Sequence, residues 1–170
     1  MEFEGEYLNG KRNGKGTEYY INDKLKFEGE YLNGEKIGKG KEYYENGKLK
    51  FEGEYLNDKR NGKGKEYDEY SNIKFEGEYS YDEKMKGKEY IKGKLEYDGD
   101  FLFGKLYNGK WYDINGNITA ETKNWNGKVR ENYENGNLKF EGEYLNGKRN
   151  GKGEEYDEYD NLIFEGWILN

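Results

Sequence analysis

Catalysis in this chain would have to come from carboxylates, tyrosines and lysines, because the 170 residues include no histidine and no cysteine. Their absence removes the commonest general base, the thiol nucleophile, disulfides and most transition-metal sites. With 36 Asp plus Glu, carboxylate pairs spaced like those of a glycosidase arise by chance. The Glu residues also recur at a fixed period, which is what a structural pattern produces. The aspartates of Asp157-Glu158-Tyr159-Asp160 lack the Gly and the distal Glu of a calcium-binding EF-hand loop, so a solvated turn is the better reading. The chain is expected to be no enzyme, with no catalytic residues, no metal and no cofactor.

The elements that would position any side chain must be built from unusual material. Only 32% of residues are hydrophobic and 38% are charged, and 19 Tyr, 8 Phe and 3 Trp make up more than half of the apolar share. So low an apolar content ordinarily signals disorder, but aromatic residues at this density belong on strands and the charges are mixed rather than blocked. The reading is an ordered, water-exposed β protein without a thick aliphatic core. The balance of 29 basic and 36 acidic residues gives −7. The lysines alternate with glutamates, which argues against a nucleic-acid partner. No apolar run is long enough to cross a bilayer as a helix, and Met1-Glu2-Phe3-Glu4 is neither basic nor hydrophobic enough to start a signal peptide. A soluble, cytoplasmic location is expected.

An internal period organises the chain. Phe3-Glu4-Gly5-Glu6-Tyr7 returns at Phe27, Phe51, Phe75 and Phe140, the first three steps being 24 residues each. Weaker copies are read at Tyr97-Asp98-Gly99-Asp100-Phe101 and Ile118-Thr119-Ala120-Glu121-Thr122, and a last one begins at Phe164. In Leu25-x-Phe27-x-Gly29-x-Tyr31 the apolar residues alternate with charge, the signature of a half-buried strand with one greasy and one charged face. Asn33-Gly34 marks a turn, Gly38 to Tyr44 the return strand, and Asn46-Gly47 supplies positive φ for the next tight turn. Each repeat is thus one β-hairpin.

Glycine in mid-strand weakens a sheet unless something needs the room. For the pairs Gly14/Gly16, Gly38/Gly40, Gly62/Gly64 and Gly151/Gly153, the expected reason is an aromatic ring lying over bare backbone. Tyr19, Tyr43, Tyr67 and Tyr156 have the opposite parity, so either a bulge intervenes or those rings face the other side. Glu on the first strand and Lys on the second predict cross-strand charge pairs on the outer face.

These residues resemble the MORN repeat, whose pattern is matched by Phe27, Gly29, Tyr31, Asn33, Gly34, Gly38, Gly40 and Tyr43. Tyr43 to Leu49 is also similar to a bacterial variant found in antitoxin-like and immunity-like proteins. The resemblance implies an elongated, twisted single-layer antiparallel sheet of successive β-hairpins, all-β in class, and no catalytic motif. It implies a scaffold, a dimerisation element or a partner-binding surface, with phospholipid contact sometimes proposed. Residues 1–170 are read as a single array of about seven hairpin repeats plus a truncated eighth, irregular between about 80 and 134.

Departures from a regular pattern are where function is sought. Phe101, Phe103, Tyr107, Trp111, Tyr112 and Trp125 gather in the irregular middle as a candidate partner-binding set, with Trp111 standing where a Gly-x-Gly run is expected. The alternative is that they fill gaps left by lost glycines. Phe164, Trp167, Ile168 and Leu169 are candidates for a self-association edge, because edge strands invite pairing, and a homodimer through a face or an end is possible. The leading function is a non-enzymatic protein-interaction scaffold with a protein partner. The alternatives are an immunity protein or antitoxin that blocks a basic toxin with an acidic sheet, and peripheral phospholipid binding. The last is the weaker, because the lysines are matched by glutamates.

Overall fold

The computed structural model describes residues 3–133 and 135–169. Among these are fifteen strands and no helix, and the chain forms two compact units, Met1–Met85 and Lys86–Asn170. The first holds β1 (Phe3–Leu8), β2 (Lys11–Tyr19), β3 (Leu25–Leu32), β4 (Glu35–Tyr43), β5 (Leu49–Leu56), β6 (Lys59–Tyr67), β7 (Ile73–Ser80) and the start of β8 (Glu83–Ile91). The second holds the rest of β8, then β9 (Lys94–Leu102), β10 (Lys105–Tyr112), β11 (Ile118–Lys123), β12 (Asn126–Asn132), β13 (Leu138–Leu145), β14 (Lys148–Tyr156) and β15 (Leu162–Ile168). Within each unit successive strands pair antiparallel in chain order. The protein is all-β, a sheet of successive hairpins.

Two kinds of turn alternate. At Asn33-Gly34 both residues have positive φ, 53° and 99°, which is the type I′ geometry that suits the twist of the flanking strands. At the next connection only Gly47 is positive, at 84°; its N–H donates to the Tyr44 carbonyl at 2.8 Å, and the Tyr44 N–H donates to Lys48 O at 2.9 Å. This is a type I turn closed by a glycine bulge. The pair Asn46-Gly47 therefore does not supply two positive φ angles, as the sequence suggested. Asn46 instead accepts the Lys48 N–H on its side chain at 2.9 Å.

The greasy face is an aromatic ladder. Phe27, Phe51 and Phe75 are fully buried, and Tyr31, Tyr55 and Tyr79 nearly so. Phe27 meets Tyr31 of its own repeat edge-on at 5.7 Å and Tyr55 of the next at 5.3 Å; Phe51 repeats this with Tyr55 and Tyr79. Each edge-to-face pair contributes about 0.5–1.5 kcal/mol beyond area burial, so cohesion passes from neighbour to neighbour as in other repeat arrays. Tyrosine hydroxyls reinforce the step: Tyr20 and Tyr44 donate to the carbonyls of Tyr43 and Tyr67 at 2.7 and 2.8 Å.

The two glycines of each Gly-x-Gly pair do different work. Gly40 is the expected floor: a Cβ there would lie 2.6 Å from the Phe27 ring and 3.2 Å from Tyr55. Gly38 has φ +59° and sits where β4 carries more residues than β3, between the pairs Gly29↔Gly40 and Glu30↔Ile37. It provides a bulge rather than room. The parity of Tyr43 resolves to the charged face, where its hydroxyl donates to Glu28 at 2.6 Å.

In the second unit the irregular repeats keep the ladder by substitution. Tyr97 takes the phenylalanine place, with Phe101 at 5.5 Å and Trp111 at 5.0 Å. Register corrects two sequence assignments. Trp111 pairs with Tyr97 as Glu42 pairs with Phe27, and Gly109 pairs with Gly99, so Trp111 stands at the glutamate place and Gly109 is the floor. Trp111 also pairs with Ala120 and Gly109 with Thr122, so the copy read from Ile118 runs two residues later, with Ala120 in the ring position. Alanine leaves a hole that the larger Trp111 side chain fills. No Phe presses on the next strand, and Val129 can stand at its floor position opposite Gly142.

Candidate functional site

The charged face carries the predicted cross-strand pairs. Lys41 approaches Glu28 at 3.8 Å and Lys65 approaches Glu76 at 3.4 Å, and in the second unit Lys110 approaches Glu121 at 3.8 Å. Solvent screens such pairs, each worth about 0–1 kcal/mol.

The strict split into a greasy and a charged face does not hold, because the aromatic side contains a second charge system. A cation caps five of the eight phenylalanines: Arg12 over Phe3, Lys36 over Phe27, Arg60 over Phe51, Lys84 over Phe75 and, in the second unit, Arg149 over Phe140, at 4.0–4.6 Å from the ring centre. Each stands nine residues after its ring, a period present in the sequence but hidden among other Lys and Arg. Glutamates opposite the rings complete it. Glu18 is 5% exposed and pairs with Arg12 and with Lys36 at 3.4 Å; Glu42 pairs with Arg60 at 2.9 Å. Arg149 holds Glu131 at 2.8 Å and Glu155 at 2.5 Å. Burial would push the Glu42 carboxyl up, but the hydrogen bond and charge of Arg60 overcome it and hold the group below its ordinary value. Glu131 and Arg149 repeat the arrangement. Glu18, Glu42 and Glu131 are pinned as anions, poorly suited to donate a proton at neutral pH.

One carboxyl departs from that rule. Burial pushes Glu96 up to about 7 against the partial compensation of Arg130, and Asn132 donates its amide to the Glu96 carboxyl. Because the folded value is raised, its contribution to stability is present below the ordinary value of 4.5 and lost as pH rises through about 7. Glu96→Gln, which can still accept from Asn132, should therefore match the parent at about pH 3.5, below the ordinary value, and be more stable at pH 8. After allowance for partial exposure the gain is about 1–2 kcal/mol, read from urea midpoints at the two pH values.

The six rings proposed from sequence do not form one surface. Phe101 and Trp111 are each 4% exposed and belong to the ladder. Tyr107 and Trp125 meet edge-on at 5.0 Å and, with Tyr112, are half-buried. Phe103 stands 82% exposed in the turn between β9 and β10. On β15, which pairs with β14 through Gly153↔Gly166, Phe164 and Trp167 are exposed; Leu169 follows exposed, and Ile168 is half-buried. Ile168 reaches toward Gly153, 3.5 Å from where a Cβ would stand.

The remaining acidic candidate is a turn. Asp157 accepts the backbone N–H groups of Tyr159 and Asn161, both at 2.9 Å, and its carboxyl is lowered first by the Asn161 side chain. Asp68 and Asp113 do the same in their turns. Among the described residues no group of three or more acidic side chains comes together to hold a metal, and no helix is long and apolar enough to cross a membrane.

Comparison with known families agrees with this construction. The MORN repeat model matches residues 3–23, 27–48, 51–69 and 140–158, where the phenylalanine, the Gly-x-Gly strand and the capping cation are all intact. No curated protein matches the chain. MORN repeats are generally protein- or membrane-interaction modules and generally non-enzymatic. With four such repeats and the hairpin ladder they specify, this chain is a MORN-repeat protein.

Proposed function

We propose that the protein is a non-enzymatic scaffold that presents its sheet and turns to a protein partner. The observation that carries this reading is the state of its acids. Glu18, Glu42 and Glu131 are paired with cations, which commits the acids of the ladder to holding the sheet rather than to acid–base chemistry. Phe103, Tyr107, Tyr112 and Trp125 supply the contact residues, while Phe101 and Trp111 pack on Tyr97 in the ladder of the same unit. The β15 segment, with Phe164, Trp167, Ile168 and Leu169, is the proposed self-association segment, since exposed apolar groups accompany the strand there.

Photo-crosslinking from position 103 in an extract of the source cells should give a discrete protein adduct that is absent when the crosslinker sits at Gly10. Turnover of a glycoside or ester substrate that is lost on mutating one Glu or Tyr would overturn the reading. The immunity or antitoxin alternative draws on the −7 balance, and co-expression with the product of an adjoining gene separates it. Lipid binding has less support, because Lys15, Lys39 and Lys63 stand opposite glutamates, Glu30, Glu54 and Glu78, and anionic bilayers reward uncompensated basic clusters.

A further inference from the structure

Three successive type I′-like turns of the second unit lie together along one edge. The Trp125 N–H donates to Tyr107 O at 3.2 Å, the Gly147 N–H to Trp125 O at 3.1 Å, and the Asn124 N–H to Asn108 Oδ1 at 2.8 Å. Such turns require positive φ at both central residues and favour Asn or Gly there, as at Asn146-Gly147. Phe103 at φ +52° and Trp125 at φ +60° break the rule. A bulky side chain in this region is a genuine outlier, and such strain concentrates where a protein meets a ligand. Trp125 recovers something by packing on Tyr107 at 5.0 Å and on Gly147. Phe103 recovers nothing, being 82% exposed.

Charge at the same edge is one-sided. Lys105, Lys123 and Lys148 flank the three turns, all exposed and none in an ion pair among the described residues. In the first unit the corresponding turns mix the two signs, Lys11 and Lys59 with Glu35, Asp58, Asp82 and Glu83. Beside the basic edge lies an open depression of about 580 Å³, lined by Asn108, Lys110, Glu121, Thr122, Lys123 and Asn126 among others, in which Glu121 is matched by Lys110 and Lys123 is left without an ion pair among the described residues.

We propose that the turns at 103–104, 124–125 and 146–147 dock an acidic segment of a protein partner. Phe103 enters an apolar recess of that partner, and Lys105, Lys123 and Lys148 meet its carboxylates. The proposal rests on the scaffold reading and names the surface and the partner chemistry. An exposed aromatic anchor ringed by complementary charge is the composition of an interface hot spot.

A random-peptide library selected against the full chain tests it. The enriched peptides should be rich in Asp and Glu around an aromatic or aliphatic residue and should bind more weakly as salt rises. Their affinity should fall about tenfold or more in Phe103→Asn and in Lys105→Glu/Lys148→Glu. Phe103→Asn should melt no lower than the parent, since Asn suits positive φ, which separates lost contact from lost fold. Neutral or basic peptides, acidic peptides that bind Phe103→Asn equally, no enrichment, or preferential capture of an oligothymidylate at this edge would each overturn the proposal. Binding retained by Phe103→Asn removes this edge alone; the scaffold reading falls only to turnover.

Discussion

Gly40→Ala is expected to destabilise the first unit by about 2–4 kcal/mol, a large loss for a single added methyl group. The new Cβ would lie 2.6 Å from the fully buried Phe27 ring and 3.2 Å from Tyr55. Both rings are wedged edge-on against their neighbours, so neither can retreat without opening the ladder. Gly10→Ala is the control: its φ is +76°, but nothing stands within 4 Å of its Cβ, and the cost should be about 1 kcal/mol from backbone strain alone. A double-mutant cycle with Phe27→Ala sharpens the test. Phe27→Ala alone should cost about 3–5 kcal/mol, and adding Gly40→Ala should then cost little, because the ring that forbade the methyl is gone. Urea midpoints of the four proteins measure the coupling.

Arg60→Ala should cost about 2–3 kcal/mol at neutral pH, discounted because its side chain and that of Glu42 are 16% and 24% exposed. The guanidinium lies 4.1 Å above Phe51 and donates to Glu42 at 2.9 Å, so one truncation removes a cap and leaves a half-buried carboxylate with only the more distant Lys50, at 3.9 Å. The pH dependence has a definite sign. In the parent the Glu42 value is depressed, so its contribution is present above the ordinary value of 4.5 and is lost as pH falls through the folded value. Without Arg60, only Lys50 and the Tyr55 hydroxyl oppose burial and the value rises, so the variant recovers as Glu42 takes up a proton. The gap between parent and variant should therefore shrink toward acid pH. Arg60→Lys should cost less than about 1 kcal/mol, since lysine fills the same place over Phe27 and Phe75.

Much of the fold was legible because its period is short and its key residues are distinctive. Phe27, Gly29, Tyr31 and the Asn33-Gly34 turn each have one physical use, and alternation placed their faces directly. The ring over Gly40 was also legible, since glycine in a strand demands an explanation. The capping cations were not. Arg12, Lys36 and Arg60 recur as regularly as the phenylalanines and share the parity of Gly16, Gly40 and Gly64, but charge is ordinarily assigned to solvent, and only the register, which sets them opposite Tyr7, Tyr31 and Tyr55, shows that they lie on the aromatic side. The bulge at Gly38 hid the different duties of the two glycines. The irregular repeats were misaligned for a related reason: where Ala120 replaces a ring, the ring that fills the space comes from Trp111 on the adjoining strand, and no pattern confined to one strand can reveal that exchange. For the proposed contact set, aromatic content pointed to the right stretch of chain, but content alone cannot separate Trp111 in the ladder from Phe103 in solvent.

The claim beneath all of this is that aromatic rings lie directly on glycine backbone in repeat after repeat. Proton NMR of glycine-labelled protein tests it most directly, through the field each ring projects onto the atoms beneath it. The Hα resonances of Gly16, Gly40, Gly64 and Gly153 should move strongly upfield and return toward ordinary values in Phe3→Leu, Phe27→Leu, Phe51→Leu and Phe140→Leu respectively, while those of Gly34 and Gly47 stay unmoved. Ordinary shifts at all four floor glycines, in a protein that is otherwise folded, would contradict it.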